Sequence, residues 1–426
     1  MEQKVYWHTT VEMPPADGPT PLSGKVDVAI IGSGFTGLSA ARALARRGAS
    51  VAVLEAETIA WGASSRNGGM VLTGLKLPMR TVLRKFGRDL ARRLFQASLD
   101  AIDTVEEIIK EEGIDCGFAR TGYLLAANKP KHFAAMRDEV EFMSKEFDHR
   151  LRLVPPGELR DEIGSDLYHG ATVDDVSGGL NPAQYVVGLA NAAINAGATL
   201  YSRARVRSVN RGQGGFALAT DRGEVRAERV LVATSGYTGS ATPPLQRKVI
   251  PIGSFIIATE KLPDALIHEL SPNNRMIVDY KHFLNYFRLW DGRMIFGGRA
   301  AFFPENQDTI RHSAEILRRE LVQVYPQLKD VRVDYVWGGN LDFAFDMMTH
   351  VGEMDGLAFS LGYAGHGVAL GTYLGKTVGE AILDGTLRDH PFAAYNFPGA
   401  PLGLYNGSPW FLPFVALWHQ FLDLIG

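Results

Sequence analysis

Six residues near the start of the chain, Gly32-Ser33-Gly34-Phe35-Thr36-Gly37, have the types and spacing to hold a dinucleotide phosphate. Gly32 permits a tight turn, Gly34 lets the backbone approach a pyrophosphate, and Gly37 allows a helix to pack closely on a strand. Free N–H groups at the start of that helix attract the phosphate charge. Glu55, about 20 residues on and followed by Ala56, is placed to accept hydrogen bonds from the adenosine ribose hydroxyls. An acid there repels a 2′-phosphate, which disfavours NADP. By itself this unit serves FAD and NAD equally.

Further residues tip the reading towards FAD. The run Gly62-Ala63-Ser64-Ser65-Arg66-Asn67-Gly68-Gly69, with Met70 after it, is small enough to pass beside a bulky cofactor, and Arg66 or Asn67 can donate to phosphate or ribose oxygens. The bland reading is a loop with a helix cap. Val206 and the stretch containing Thr234 and Gly236 bring small residues of a late strand to the same region. Gly365-His366-Gly367-Val368 precedes a helix whose N-terminus suits the flavin edge where negative charge develops on reduction. His366 either tunes the flavin and oxygen chemistry or acts as a steric wedge. Tyr286 and Arg288, two apart on one strand, share a face. Facing the cofactor, Tyr286 orients an amine and Arg288 pairs with a carboxylate; facing away, they are a packed tyrosine and a solvated arginine. Arg299 and Lys248 are weaker candidates of the same kind, and Trp337 is either core or a wall of the site.

The elements that must position these residues are legible in the pattern. Residues 26–31 (VDVAII) form a continuous apolar run typical of a buried parallel strand. A helix pattern follows and closes at Gly48, and residues 50–54 form a second strand. Strand-like segments recur at 204–209, 216–220 and 229–236. Residues 248–300 read as antiparallel strands, with Asp291-Gly292 as a hairpin turn. Residues 356–361 and 372–383 repeat the strand, glycine turn and helix order.

Taken together, DVAIIGSGFTGLSAA, LEA, WGASSRNGG and GYAGHGVALG resemble the D-amino acid oxidase (DAO) superfamily of FAD-dependent oxidoreductases, with gamma-glutamylputrescine oxidase-like members nearest. The resemblance runs from about Tyr6 to the tail. It implies an α/β fold: a discontinuous Rossmann-like FAD-binding domain interleaved with an α+β substrate domain on a mostly antiparallel sheet. The expected segments are 20–95, 165–245 and 335–400 for FAD, 96–164 and 246–334 for substrate, and 401–426 as an amphipathic tail. The resemblance also implies oxidation of the C–N bond of a small amine or amino acid. A hydride goes to flavin N5, and the resulting imine hydrolyses to an aldehyde or keto acid. The only cysteine, Cys116, lies far from the late position where relatives attach flavin, and WGASSRNGG contains no histidine, so non-covalent FAD is expected.

Composition closes other routes. At 426 residues the chain suits two packed domains. A net charge of −3 gives no reason for a nucleic-acid partner, and one cysteine rules out an internal disulfide or a cysteine-rich metal site. No metal is expected. The first twenty residues lack a signal's apolar core, and no stretch reaches the roughly 20 apolar residues of a transmembrane segment; a cytoplasmic enzyme is the expectation. Residues 371–377 fall one residue short of a P-loop. Residues 80–93 are basic but interleaved with apolar positions, as in an amphipathic helix. Oxygen or a quinone as electron acceptor, and self-association, stay open. The rival readings are FAD-dependent oxidation of a 2-hydroxy acid and a non-catalytic flavin-binding assembly factor.

Overall fold

The computed structural model describes residues 1–14, 22–281, 284–301 and 307–409, with the side chains of 299–301, 307 and 402 outside that description. Two large sheets organise them. The first runs in the order Val206–Gly212, Gly215–Thr220, Gly223–Val232, Lys25–Ile31, Val51–Leu54, Thr199–Tyr201, with Leu357–Leu361 also joined to Gly223–Val232. Its centre is parallel: Lys25–Ile31 pairs in that sense with strands on both sides. Val28, Ala29 and Ile30 are fully buried, which is why this strand reads as an unbroken apolar run.

The helices Phe35–Arg46 and Ala369–Asp384 cross on one face of that sheet. Small residues make the crossing possible. A Cβ on Gly375 would come within 2.4 Å of the Thr36 carbonyl oxygen, and one on Gly379 within 3.2 Å of that of Ala40. The near-P-loop at 371–377 therefore lies inside a helix. The basic segment 80–93 is two helices, Met79–Phe86 and Arg88–Glu112. Gly87 separates them at φ +81°, a backbone conformation closed to most other residues.

The second sheet has nine strands in the order Glu2–Gln3, Val333–Ala344, Val249–Thr259, Arg293–Ala301, Tyr286–Trp290, Met276–Asp279, Tyr123–Ala126, Ala171–Asp174, Arg152–Val154. All its pairings are antiparallel except those of Glu2–Gln3 and of Met276–Asp279 with Tyr123–Ala126. The Asp291-Gly292 turn joins Trp290 directly to its partner Arg293. Both turn residues have positive φ, +47° and +74°, as a tight two-residue hairpin requires.

Ala171–Asp174 and Val333–Ala344 belong to the second sheet. Helix Arg88–Glu112 buries its apolar face with the dinucleotide-side helices. Of the amphipathic tail expected at 401–426, residues 401–409 are described and begin with the short turn Pro401–Gly403; 410–426 lie outside the described residues. Among the described residues no helix is long and apolar enough to cross a membrane, and no group of His, Cys, Asp and Glu is arranged to hold a metal ion.

Candidate active site

The turn after Lys25–Ile31 is built as its glycines demand. Gly32 sits at φ +104°, and a Cβ there would meet the Ala233 carbonyl oxygen at 2.7 Å. A Cβ on Gly37 would lie 2.0 Å from the Gly32 carbonyl oxygen, and one on Gly34 2.8 Å from Ser64 Oγ. Only glycine lets the backbone come this close, so the cradle has the shape that an extended dinucleotide requires. At the helix start, Phe35 N–H donates to Ser64 Oγ at 2.9 Å. That contact brings the loop at 62–69 onto the positive end of the helix.

Glu55 is held in place by the same turn. Its Oε2 accepts from Ser33 N–H at 3.0 Å and from the Ser33 hydroxyl at 2.6 Å, and its Oε1 accepts from Glu57 N–H at 3.0 Å. Oε2 thus has both lone pairs engaged, and Oε1 keeps one for a ribose hydroxyl. Ala56 follows it, half-buried. Ala204 N–H donates to the Glu55 carbonyl at 2.7 Å. Val206 begins the edge strand two residues later and is buried in the core behind the sheet.

The loop at 62–69 is braced from several sides. The Asn67 side-chain amide donates to the carbonyls of Ala63 and Ser64 and accepts from Gly69 N–H. It is therefore engaged within the loop and acts there as a brace. Arg66 Nε donates to the Trp61 carbonyl at 2.8 Å, and its guanidinium lies 4.2 Å from the Trp61 ring centroid. Trp337 is core: it is 2% exposed, and its indole N–H donates to the Arg66 carbonyl at 2.8 Å. Met70 enters a short strand paired with Gly179. Gly236 lies against the Leu341 carbonyl, with 2.7 Å available to a Cβ, and Thr234 shares a 2.7 Å hydroxyl contact with Thr238.

Tyr286 and Arg288 face this loop. A Cβ on Gly68 would be 3.1 Å from the Tyr286 ring, and Arg288 Nη1 donates to the carbonyls of Gly69 and Leu180, each at 3.0 Å. The Tyr286 hydroxyl contacts Ser254 Oγ at 3.0 Å, and burial pushes the phenol up to about 12. Arg288 is 2% exposed, meets no carboxylate of the described residues, and has a buried Nε with no hydrogen-bond partner. Burial alone pushes its guanidinium down to about 9. Buried charges are normally paired, yet its contacts within the protein are the two carbonyls and the Trp290 ring, whose centroid lies 4.8 Å away. Lys248 is turned elsewhere, its Nζ donating to the Phe397 carbonyl. The Arg299 side chain lies outside the described residues.

His366 belongs to the loop that opens helix Ala369–Asp384. Its Nδ1 is buried without a hydrogen-bond partner, and burial together with the positive charge of Lys76 pushes the imidazole down to about 4. Gly365 and Gly367 flank it, and Val368 is buried behind it. Tyr363 ties this loop to the dinucleotide turn, its hydroxyl contacting Thr36 Oγ1 at 2.7 Å and Ser360 Oγ at 2.8 Å.

Asp342 escaped the sequence reading. It is 2% exposed, and its carboxylate accepts from the N–H groups of Gly362 at 2.6 Å and Tyr363 at 3.2 Å. Burial raises its affinity for a proton, while these donors and Ser235 counter that rise. It joins the substrate sheet to the His366 loop. The one available signal was an acid set between two apolar residues, Leu341 and Phe343. Lys76, half-buried and with burial lowering its proton affinity, was also passed over.

Residues 27–381 match the family model described as FAD-dependent oxidoreductase (DAO). The chain belongs to that family. Among curated relatives, it is 34% identical over 425 residues to the probable oxidoreductase OrdL of Rhizobium meliloti, covering 98% of this chain and 97% of that one. It is 31% identical over 404 residues to gamma-glutamylputrescine oxidoreductase of Escherichia coli, covering 93% and 92%. Glycine oxidase from Geobacillus kaustophilus shares the fold with a TM-score of 0.71 at 21% identity, over 84% of this chain and 95% of that one. This DAO-family protein is thus an FAD-dependent oxidoreductase. The glycine cradle, the helix N-terminus and the buried orphan atoms of Arg288 and His366 fit FAD and a ligand beside it.

Proposed function

We propose that this oxidoreductase oxidises the C–N bond of an amine that carries a carboxylate. The observation behind the reading is Arg288: a buried guanidinium with an unpartnered Nε, on the strand face turned to the glycine loop. A planar fork of donors suits a carboxylate. FAD, when bound, supplies the two-electron acceptor chemistry. The residues proposed to hold it are Gly32, Ser33, Gly34, Phe35, Thr36, Gly37 and Glu55 for the adenosine diphosphate half. Residues 62–70 and Gly365, His366, Gly367 and Val368 are proposed to hold the flavin half.

The protein's own part is positioning. Arg288 would fix the carboxylate, and Tyr286, protonated below about pH 12, would offer a neutral donor or acceptor to the amine. The loop at 62–69 is proposed to exclude water on that side, so the α C–H bond is presented in one orientation. Among the described residues around Tyr286 and Arg288 no acid or free lysine stands ready as a base, so the amine is proposed to enter unprotonated. Water then hydrolyses the imine product to a carbonyl compound. Incubation with amines, amino acids and 2-hydroxy acids, with hydrazine trapping of carbonyl products, tests this reading. Carbonyl formed in step with amine consumption supports it, and turnover confined to hydroxy acids overturns it.

The imidazole of His366 carries a further expectation. Pushed down to about 4, it is neutral at every pH above roughly 5. Replacing it by glutamine should change the height of the kcat/KM profile between pH 5.5 and 9 without shifting its inflections. Loss of an inflection near pH 6.5 in His366→Gln would show that the imidazole titrates during turnover.

A further inference from the structure

The first ten residues precede the matched family region and contain none of the expected site residues, yet they pack onto the loop at 62–69. Trp7 is completely buried (0% exposed), and its indole N–H donates to the Asn67 carbonyl at 2.8 Å. His8 Nε2 meets Ser65 Oγ at 2.8 Å. Asn181, which caps the helix packed against this loop, donates to Thr10 Oγ1 at 2.8 Å. On the other side Glu2 and Gln3 add a parallel strand beside Tyr335 and Val336, and the Tyr6 hydroxyl donates to Asp291 at 3.2 Å. The Trp7 ring lies edge-on to both Trp290 and Trp337. Trp337 itself donates to the Arg66 carbonyl. Two indole N–H groups, from rings packed edge-on against each other, therefore grip consecutive carbonyls of the loop, those of Arg66 and Asn67.

We propose that residues 5–10 are a built-in brace that sets the conformation of the loop at 62–69 for cofactor binding, with Trp7 and His8 as positioning residues. The physical basis is loop entropy. A stretch containing Gly62, Gly68 and Gly69 has many backbone states to lose on ordering. Fixing its carbonyls beforehand moves that cost from the binding step to folding. His8 is suited to a permanent contact, because burial and the charge of Arg66 push it down to about 4, leaving it neutral under ordinary conditions.

The inference rests on the reading that this loop contacts FAD, and the test separates the two. Flavin-free protein is titrated with FAD, followed by quenching of flavin fluorescence, and the melting temperature of the flavin-free form is recorded alongside. Trp7→Phe keeps an aromatic ring in the cluster but deletes the donor to Asn67; His8→Ala deletes the contact to Ser65, and His8→Gln restores a hydrogen-bonding group. The expected result is an FAD Kd raised ~5-fold to ~20-fold in Trp7→Phe and His8→Ala, with partial recovery in His8→Gln. The melting temperature of the flavin-free protein should stay within a few degrees of the parent. Ser64→Asp, which sets a negative charge at the helix N-terminus, reports on the loop itself. Normal FAD binding in Trp7→Phe and His8→Ala with weakened binding in Ser64→Asp overturns the brace alone. Unchanged binding in all three overturns the brace together with the loop's role.

Discussion

Gly37→Ala is expected to weaken FAD binding ~100-fold or more, the largest effect of any single methyl group in this protein. The added carbon would sit 2.0 Å from the Gly32 carbonyl oxygen and 3.3 Å from Ile30. Neither neighbour can yield: one is backbone in the turn, the other a fully buried strand residue. Helix Phe35–Arg46 would have to lift from the sheet, carrying its N-terminal N–H groups away from the phosphate position. Gly34→Ala should be milder, ~10-fold, because the obstructing atom is the Ser64 hydroxyl, which can rotate. Titration of the flavin-free variants with FAD, beside circular dichroism to establish folding, checks both. A folded Gly37→Ala protein with normal FAD affinity would contradict the assignment of the turn.

Arg288→Met should lower kcat/KM by ~10³-fold for an amine bearing a carboxylate and by ~5-fold to ~150-fold for an amine without one. Removing one partner of a buried, hydrogen-bonded charge pair costs about 2–5 kcal/mol, which sets the first figure. The second comes from the carbonyls of Gly69 and Leu180, which lose a shared donor at about 1–3 kcal/mol if they stay dry. Arg288→Lys keeps the charge but loses the planar fork, so an intermediate loss is expected. Steady-state kinetics on paired substrates separate the outcomes. An equal loss for both substrate classes would make Arg288 a strut for the loop and remove the carboxylate from the proposal.

The dinucleotide unit was legible because its demands are local. Strand, turn, helix and acid lie within thirty residues, and each glycine answers to a contact made by its own backbone. The Asp291-Gly292 hairpin was legible for the same reason, since two positive φ values in a row admit few residue types. Tyr286 and Arg288 shared a face by strand periodicity, but which way that face turned depended on the packing of Gly68 and Gly69 against it. Asn67 illustrates the opposite limit. Its amide could as well have met a ligand, and only the folded loop shows it bonded to Ala63, Ser64 and Gly69.

Long-range links left no local trace. Asp342 reaches residues twenty positions on, Thr36 meets Tyr363 across most of the chain, and Trp7 serves a loop sixty residues away. The strands at 171–174 and 333–344 pair with partners far away in the sequence, which no local pattern announces. Residues 80–93 were read as one amphipathic helix; Gly87, at positive φ, divides it in two.

The central claim is that this protein couples FAD to the oxidation of a carboxylate-bearing amine, and one measurement addresses it most directly. FAD-loaded protein is mixed without oxygen with amines, amino acids and 2-hydroxy acids in turn, and the flavin absorbance near 450 nm is followed. The account predicts bleaching by a carboxylate-bearing amine, with slower or absent bleaching by the matching amine that lacks the carboxylate. Bleaching by hydroxy acids alone, or a flavin that no small substrate reduces, would contradict it.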